Sequence, residues 1–165
     1  MRRAAALALA ACSCGLGGRG LPSDGGPALD FNIHGLQFHI SSGAAVSTNG
    51  ALTFYLSDQP SACDAIRNLP VRTATTFSLR VAAQTDGTTR ATVVAGKPMP
   101  AAGEAVGGLA QTTGTTKNAS VEAANGSIAW TAGSDGSIYL STLDAGFVGT
   151  TDRLTTGQLT LAPCR

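Results

Sequence analysis

Four dipeptides constrain this chain most: Asn49-Gly50, Asp86-Gly87, Asn125-Gly126 and Asp135-Gly136. Each joins a side chain that can bond its own backbone to a glycine free to take positive φ, the chemistry of a tight hairpin turn. Between them lie short runs in which apolar and polar residues alternate, the period-two pattern of a strand with one buried face. Turn signals separating such short runs, with no credible amphipathic helix between the runs, predict an all-β domain. The expected architecture is an antiparallel β-sandwich or barrel with at most one short helical segment. A βαβ fold is excluded by the missing helices.

The domain is expected to span residues 28–165. Leu29, Phe31 and Ile33 alternate with Asp30, Asn32 and His34; past Gly35, Leu36, Phe38 and Ile40 alternate with Gln37 and His39. These two runs read as one long strand bent by a bulge at Gly35. Ala51 to Leu56 is rich in β-formers. Asp58-Gln59-Pro60 ends that strand, and Ser61 to Asn68 reads as one or two helical turns with Cys63 and Ile66 facing inward. Thr73 to Ala83 places Phe77, Leu79 and Val81 on one face, and Thr89 to Val94 follows the Asp86-Gly87 turn. Residues 96–117 carry the weakest pattern, predicting a poor strand near Ala105–Thr112 beside a mobile loop. Ala119–Ala123 and Ser127–Thr131 flank Asn125-Gly126 as a hairpin. Ser127–Thr131 and Ser137–Leu143 flank the turn at 133–136, and Gln158–Leu161 leads to Cys164. The parity assigns Ile128 with Trp130, Ile138 with Leu140, and Leu159 with Leu161 to buried faces.

The first twelve residues follow another rule. Arg2 and Arg3 precede an Ala/Leu run that ends in Leu9-Ala10-Ala11-Cys12. A charged start, an apolar centre and small residues before the cut describe an export signal. The last four residues resemble the lipobox of bacterial lipoproteins. That resemblance implies cleavage before Cys12, with residues 1–11 as signal peptide, a diacylglycerol on the Cys12 thiol and an acyl group on its new amine. Each buried methylene contributes about 0.8 kcal/mol, so several chains together give a stable membrane anchor. In Gram-negative members of that family, a non-acidic residue at the next position, here Ser13, accompanies transfer to the outer membrane. Residues 13–27 hold six glycines and two prolines and read, with Cys12, as a lipidated flexible tether over 12–27. The ending Gly157–Cys164 resembles small secreted β-sandwich lipoproteins whose last strand runs into a near-terminal cysteine.

Four cysteines are present, Cys12, Cys14, Cys63 and Cys164. With Cys12 acylated, Cys63 and Cys164 lie in or beside folded-looking sequence and are expected to pair in an oxidising compartment, leaving Cys14 odd. Without acylation, Cys12 would be a further pairing partner. No later segment offers the roughly 20 apolar residues of a spanning helix.

The formal charge of +1 includes Arg2 and Arg3, and no basic run exists, which excludes a nucleic-acid surface. Charged residues make up only 13% of the chain, about half the usual share, and Gly, Ser and Thr take their place. No cofactor is expected. His34 and His39 are the only histidines and the candidates for a metal site, two where zinc wants three or four ligands. No G-x-S-x-G elbow, P-loop or EF-hand loop occurs. Asp135, Asp144 and Asp152 are the carboxylates available to a hydrolase. Trp130 is assigned to the core, and Tyr139, of opposite parity to Ile138 and Leu140, is the aromatic nominated for a ligand face.

The expected role is therefore a non-enzymatic, membrane-anchored extracytoplasmic lipoprotein that is structural or binds an envelope protein or glycan. The alternatives are a small exported hydrolase or a periplasmic carrier of a metal or small ligand.

Overall fold

The computed structural model describes residues 29–48, 50–67, 72–82 and 89–164. Cys12, Cys14, the tether, Asn49 and the Asp86-Gly87 turn lie outside the described residues. In chain order the elements are β1 (Asp30–Ile33), β2 (Leu36–His39), β3 (Ser42–Thr48), β4 (Ala51–Ser57), α1 (Ala62–Ile66), β5 (Thr73–Val81), β6 (Arg90–Val93), β7 (Glu104–Thr113), β8 (Thr116–Ala132), β9 (Ile138–Phe147), β10 (Arg153–Thr156) and β11 (Leu159–Pro163). The fold is all-β, and α1 is the only helix among the described residues.

The strand pairings close on themselves. β8 pairs with β9, β9 with β11, β11 with β3, and the ladder continues through β4, β5 and β7 back to β8. A sheet closed in this way is a barrel and leaves its ring without an open edge. Two short strands complete it. β6 fills the fork where β7 and β8 part, pairing with Glu104–Ala105 on one side and Ser127–Ala129 on the other. β10 and β11 share the far edge of β9 as one interrupted strand, β10 on Leu143–Gly146 and β11 on Ile138–Leu140.

The expectation of a purely antiparallel sheet fails at two places, β11–β3 and β6–β7, which are parallel. Parity explains the first. The ring holds seven strands, and an odd ring whose neighbours alternate in direction must contain one parallel pair. That pair falls where the chain's first and last ring strands meet.

Three local expectations are also corrected. His34 and Gly35 are not a bulge in one long strand. Their φ values of 52° and 80° make them the two central residues of a hairpin turn joining β1 to β2, with Ile33 opposite Leu36. Asn125-Gly126 is not a turn either, because β8 runs unbroken through it. The register against β9 slips between Ala123 and Asn125, so Ala124 is a bulge residue. This slip moves the buried set from Ala123 to Ile128 and Trp130, and a second slip at Ser141 moves it on β9 from Ile138 and Leu140 to Leu143, Ala145 and Phe147. Positive φ serves a bulge as well as a turn, and Gly126 (φ 125°) supplies it here. In α1, Ser61 caps the helix by accepting from the Asp64 amide at 3.2 Å, and Ala62 is the buried residue, with Cys63 and Ile66 half-buried.

The segment expected to be a poor strand is a full one, β7, and the loop before it is tied down. Glu104 accepts from Lys97 at 2.6 Å and from the Ala101 amide at 3.0 Å, while the Gly96 amide donates to Glu122 at 2.6 Å.

One apolar core fills the barrel. Phe54 and Trp130 pack at 5.0 Å between ring centroids, Phe77 and Phe147 edge to face at 6.0 Å, and Ile33 and Phe38 bring the β1–β2 hairpin into the same cluster. Each large side chain buried this way contributes about 1.5–3 kcal/mol relative to exposure. Cys63 and Cys164 form a disulfide, Cα to Cα 5.5 Å, that ties α1 to the end of β11. No helix among the described residues is long and apolar enough to cross a membrane.

Candidate ligand-binding face

A groove of about 1290 Å³ runs over the outer face of β8, β9 and β11. Its floor follows from strand alternation. Trp130, Leu140, Leu159 and Leu161 point into the core, so the residues between them point out. Tyr139 is one of these and is 45% exposed. The register puts Thr131 of β8 directly across from it on one side and Thr160 of β11 on the other. An aromatic ring thus stands between two threonines in a single row across three strands, with Ser141 on the same strand.

Two walls bound this row. One is the stretch Pro60–Cys63, the start of α1, together with Ser41–Gly43. The disulfide fixes that wall to β11, and Ser42 Oγ donates to the Gln59 carbonyl at 2.6 Å. The other is the β8–β9 turn. There Gly136 takes φ 84°, Gly133 and Ser137 close the turn at 2.8 Å, and Asp135 Oδ1 accepts the Ser137 amide and hydroxyl at 3.0 and 2.5 Å. Gly133 lies against the tyrosine. A Cβ there would stand 2.8 Å from Tyr139 Cε2, 2.8 Å from Asp135 Oδ1 and 2.7 Å from Ser137 Oγ. The bare backbone at this position lets the ring lie over the turn.

Among the described residues no lysine, arginine or histidine lines the groove, and the one carboxylate there, Asp135, is already engaged by Ser137. Chemically it offers an aromatic face, a set of hydroxyls and little charge.

The other nominated residues fall elsewhere. His34 sits in the β1–β2 turn and His39 at the opposite end of that hairpin, where its Nδ1 lies 2.5 Å from Asp30 Oδ1. Among the described residues no group of three or more histidines, cysteines and carboxylates is placed to hold a metal ion. The three aspartates are divided among separate tasks. Asp135 closes the β8–β9 turn. Asp144 takes a two-pronged contact from Arg153, at 2.8 and 2.7 Å, and a bond from Thr155; the guanidinium holds its carboxyl below the usual range. Asp152 accepts the His34 amide at 2.8 Å and is lowered by that bond and by Thr150. Trp130 is buried, as its parity requires.

Sequence parity alone identified Tyr139 as outward-facing. It did not identify Thr131 and Thr160, which lie on other strands, nor the wall formed by α1. Compared with family models, curated proteins and solved structures, the chain matches none of them.

Proposed function

We propose that this chain is an exported, lipid-anchored binding protein in which the barrel carries a ligand face and the residues before it carry the anchor, with no catalytic step. The observation that bears most weight is the Cys63–Cys164 disulfide. Such bonds persist in oxidising, extracytoplasmic compartments and are rare in the cytosol. Export is what the signal-like residues 1–11 would provide, and Cys12 is the site to which the lipobox resemblance assigns the acyl chains. The groove around Tyr139 supports binding as the role, since it sets an exposed aromatic ring among outward-facing hydroxyls in one concave surface. In a Gram-negative host the anchor would lie in the outer membrane.

Intact-mass analysis of the native product, with cell fractionation of wild type and Cys12→Ser, tests this reading. The wild-type chain is expected to begin at residue 12, carry acyl mass and partition with membranes, and the serine variant to lose all three properties. An unmodified wild-type chain in the soluble cytosolic fraction would overturn the proposal.

A further inference from the structure

We infer that the Tyr139 groove binds a neutral saccharide, a deepening that rests on the reading of the barrel as a binding module. Sugar rings have two kinds of surface: a patch of C–H groups that packs on an aromatic face, and a rim of hydroxyls that needs donors and acceptors beside that face. The row Thr131–Tyr139–Thr160 presents both in that order, ring at the centre and hydroxyl on either side, held by the register of three paired strands. The Tyr139 ring is exposed, and the bare backbone of Gly133 leaves room for it to lie over the turn. The backbone row that carries it is set by strand register before any ligand arrives, which lowers the ordering cost of binding.

Charge selects among ligands that could stack on a tyrosine. Among the described residues no cationic side chain lies along the groove, so the described lining offers phosphates, nucleic acids and sulfated or uronic glycans no counter-charge. A basic peptide finds only Asp135, whose Oδ1 is occupied. The volume, about 1290 Å³, exceeds the roughly 300–1,000 Å³ of sites for drug-sized ligands, so several linked rings can enter. The wall beside the row is the start of α1, stapled to β11 by the disulfide. One side of the site is thus part of an oxidised structure.

The test is calorimetry and saturation-transfer NMR on the full chain, held in a sugar-free detergent, against neutral trisaccharides of N-acetylglucosamine, β-linked glucose and α-linked glucose. A heparin fragment and an apolar hexapeptide serve as the charged and apolar alternatives. At least one neutral trisaccharide is expected to bind. Tyr139→Ala should weaken it by about tenfold, the upper range of one aromatic stacking contact, while Tyr139→Phe stays within about twofold. Thr160→Val keeps shape and removes the hydroxyl; it should weaken binding severalfold without moving Tm, because Thr160 is exposed. Failure of all three trisaccharides to bind, preference for heparin or the peptide, or Tyr139→Ala binding as wild type would each overturn the inference. Anchoring at Cys12 surviving such a failure would leave the lipoprotein reading standing. Saccharide binding by a chain found unacylated would do the reverse.

Discussion

The barrel is closed very differently on its two sides. Between β8 and β9 the antiparallel ladder runs from Ala123 opposite Phe147 to Ala132 opposite Ile138, through two bulges. Between β3 and β11 the parallel ladder is in register only at Ala162 and Pro163 against Ala44 and Ala45, and a proline there has no amide to donate. The short side carries the disulfide, and Cys164 adds its own amide bond to the Ala45 carbonyl at 3.2 Å. A seam imposed by the odd strand number is thus held covalently where its hydrogen bonds are few, and the long side needs no such help.

The largest effect is expected from cutting the staple. Cys63 and Cys164 are 101 residues apart, and the chain-entropy account assigns about 4.7 kcal/mol to a loop of that size, with about 2–5 kcal/mol typical of measured removals. Reduction, or the double Cys63→Ser/Cys164→Ser variant, should lower thermal stability by that order. Hydrogen exchange should show amides of β3 and β11 losing protection before those of β8 and β9. Equal loss on both sides would mean that the seam is not the weaker one.

A second comparison uses two glycines, one on each side. A Cβ at Gly126 would collide with the Asp144 carbonyl oxygen, and φ there is 125°, so backbone must move. A Cβ at Gly43 would meet the tip of Leu161, with Leu56 Cδ2 at 3.3 Å, and such side-chain ends can turn aside. Gly126→Ala should therefore cost about 1–3 kcal/mol and Gly43→Ala less, measured by denaturant unfolding. The reverse order would show that the seam, not the long ladder, tolerates intrusion less.

The smallest effect is on acid stability. Asp144 and Asp152 are lowered from 3.8 and Glu104 from 4.5, by Arg153, by the His34 amide and by Lys97 respectively. A carboxyl lowered on folding contributes fully above its unfolded pKa and loses that contribution as pH falls through the folded value. Tm should hold above about pH 5 and decline below the 3.8–4.5 range. Asp144→Asn should flatten part of that decline, and exchange should rise first near β10, away from the stapled seam. An unchanged acid profile in that variant would remove Asp144 from the account.

Alternation made much of this fold legible in advance. Phe77, Leu79 and Val81, Ile128 and Trp130, and Leu159 and Leu161 are all buried as their spacing requires, and Asp135-Gly136 is a turn. The illegible parts have physical causes. Asn125-Gly126 misled because a bulge and a hairpin both draw on positive φ. Ser42–Thr48 forms β3 from small residues whose apolar contrast is slight, so nothing marked it as a strand. Its partner β11 lies at the other end of the chain, and no local rule reports a pairing made by closure. The same limit applies to the groove. Tyr139 was readable on its own strand, but the threonines beside it are neighbours only once three strands are in register.

The separate β1–β2 sheet has a mechanical consequence. Chain preceding Leu29 enters the folded unit through this hairpin, with the Ile40 amide bonded to the Leu29 carbonyl and the Asp152 carboxylate gripping the His34 amide at its tip. A force applied at Leu29 would load that two-stranded piece first, and opening it would draw Ile33 and Phe38 out of the shared core. The hairpin is thus a plug as much as an entry, and tension at its free end reaches the stapled vessel through those two buried side chains.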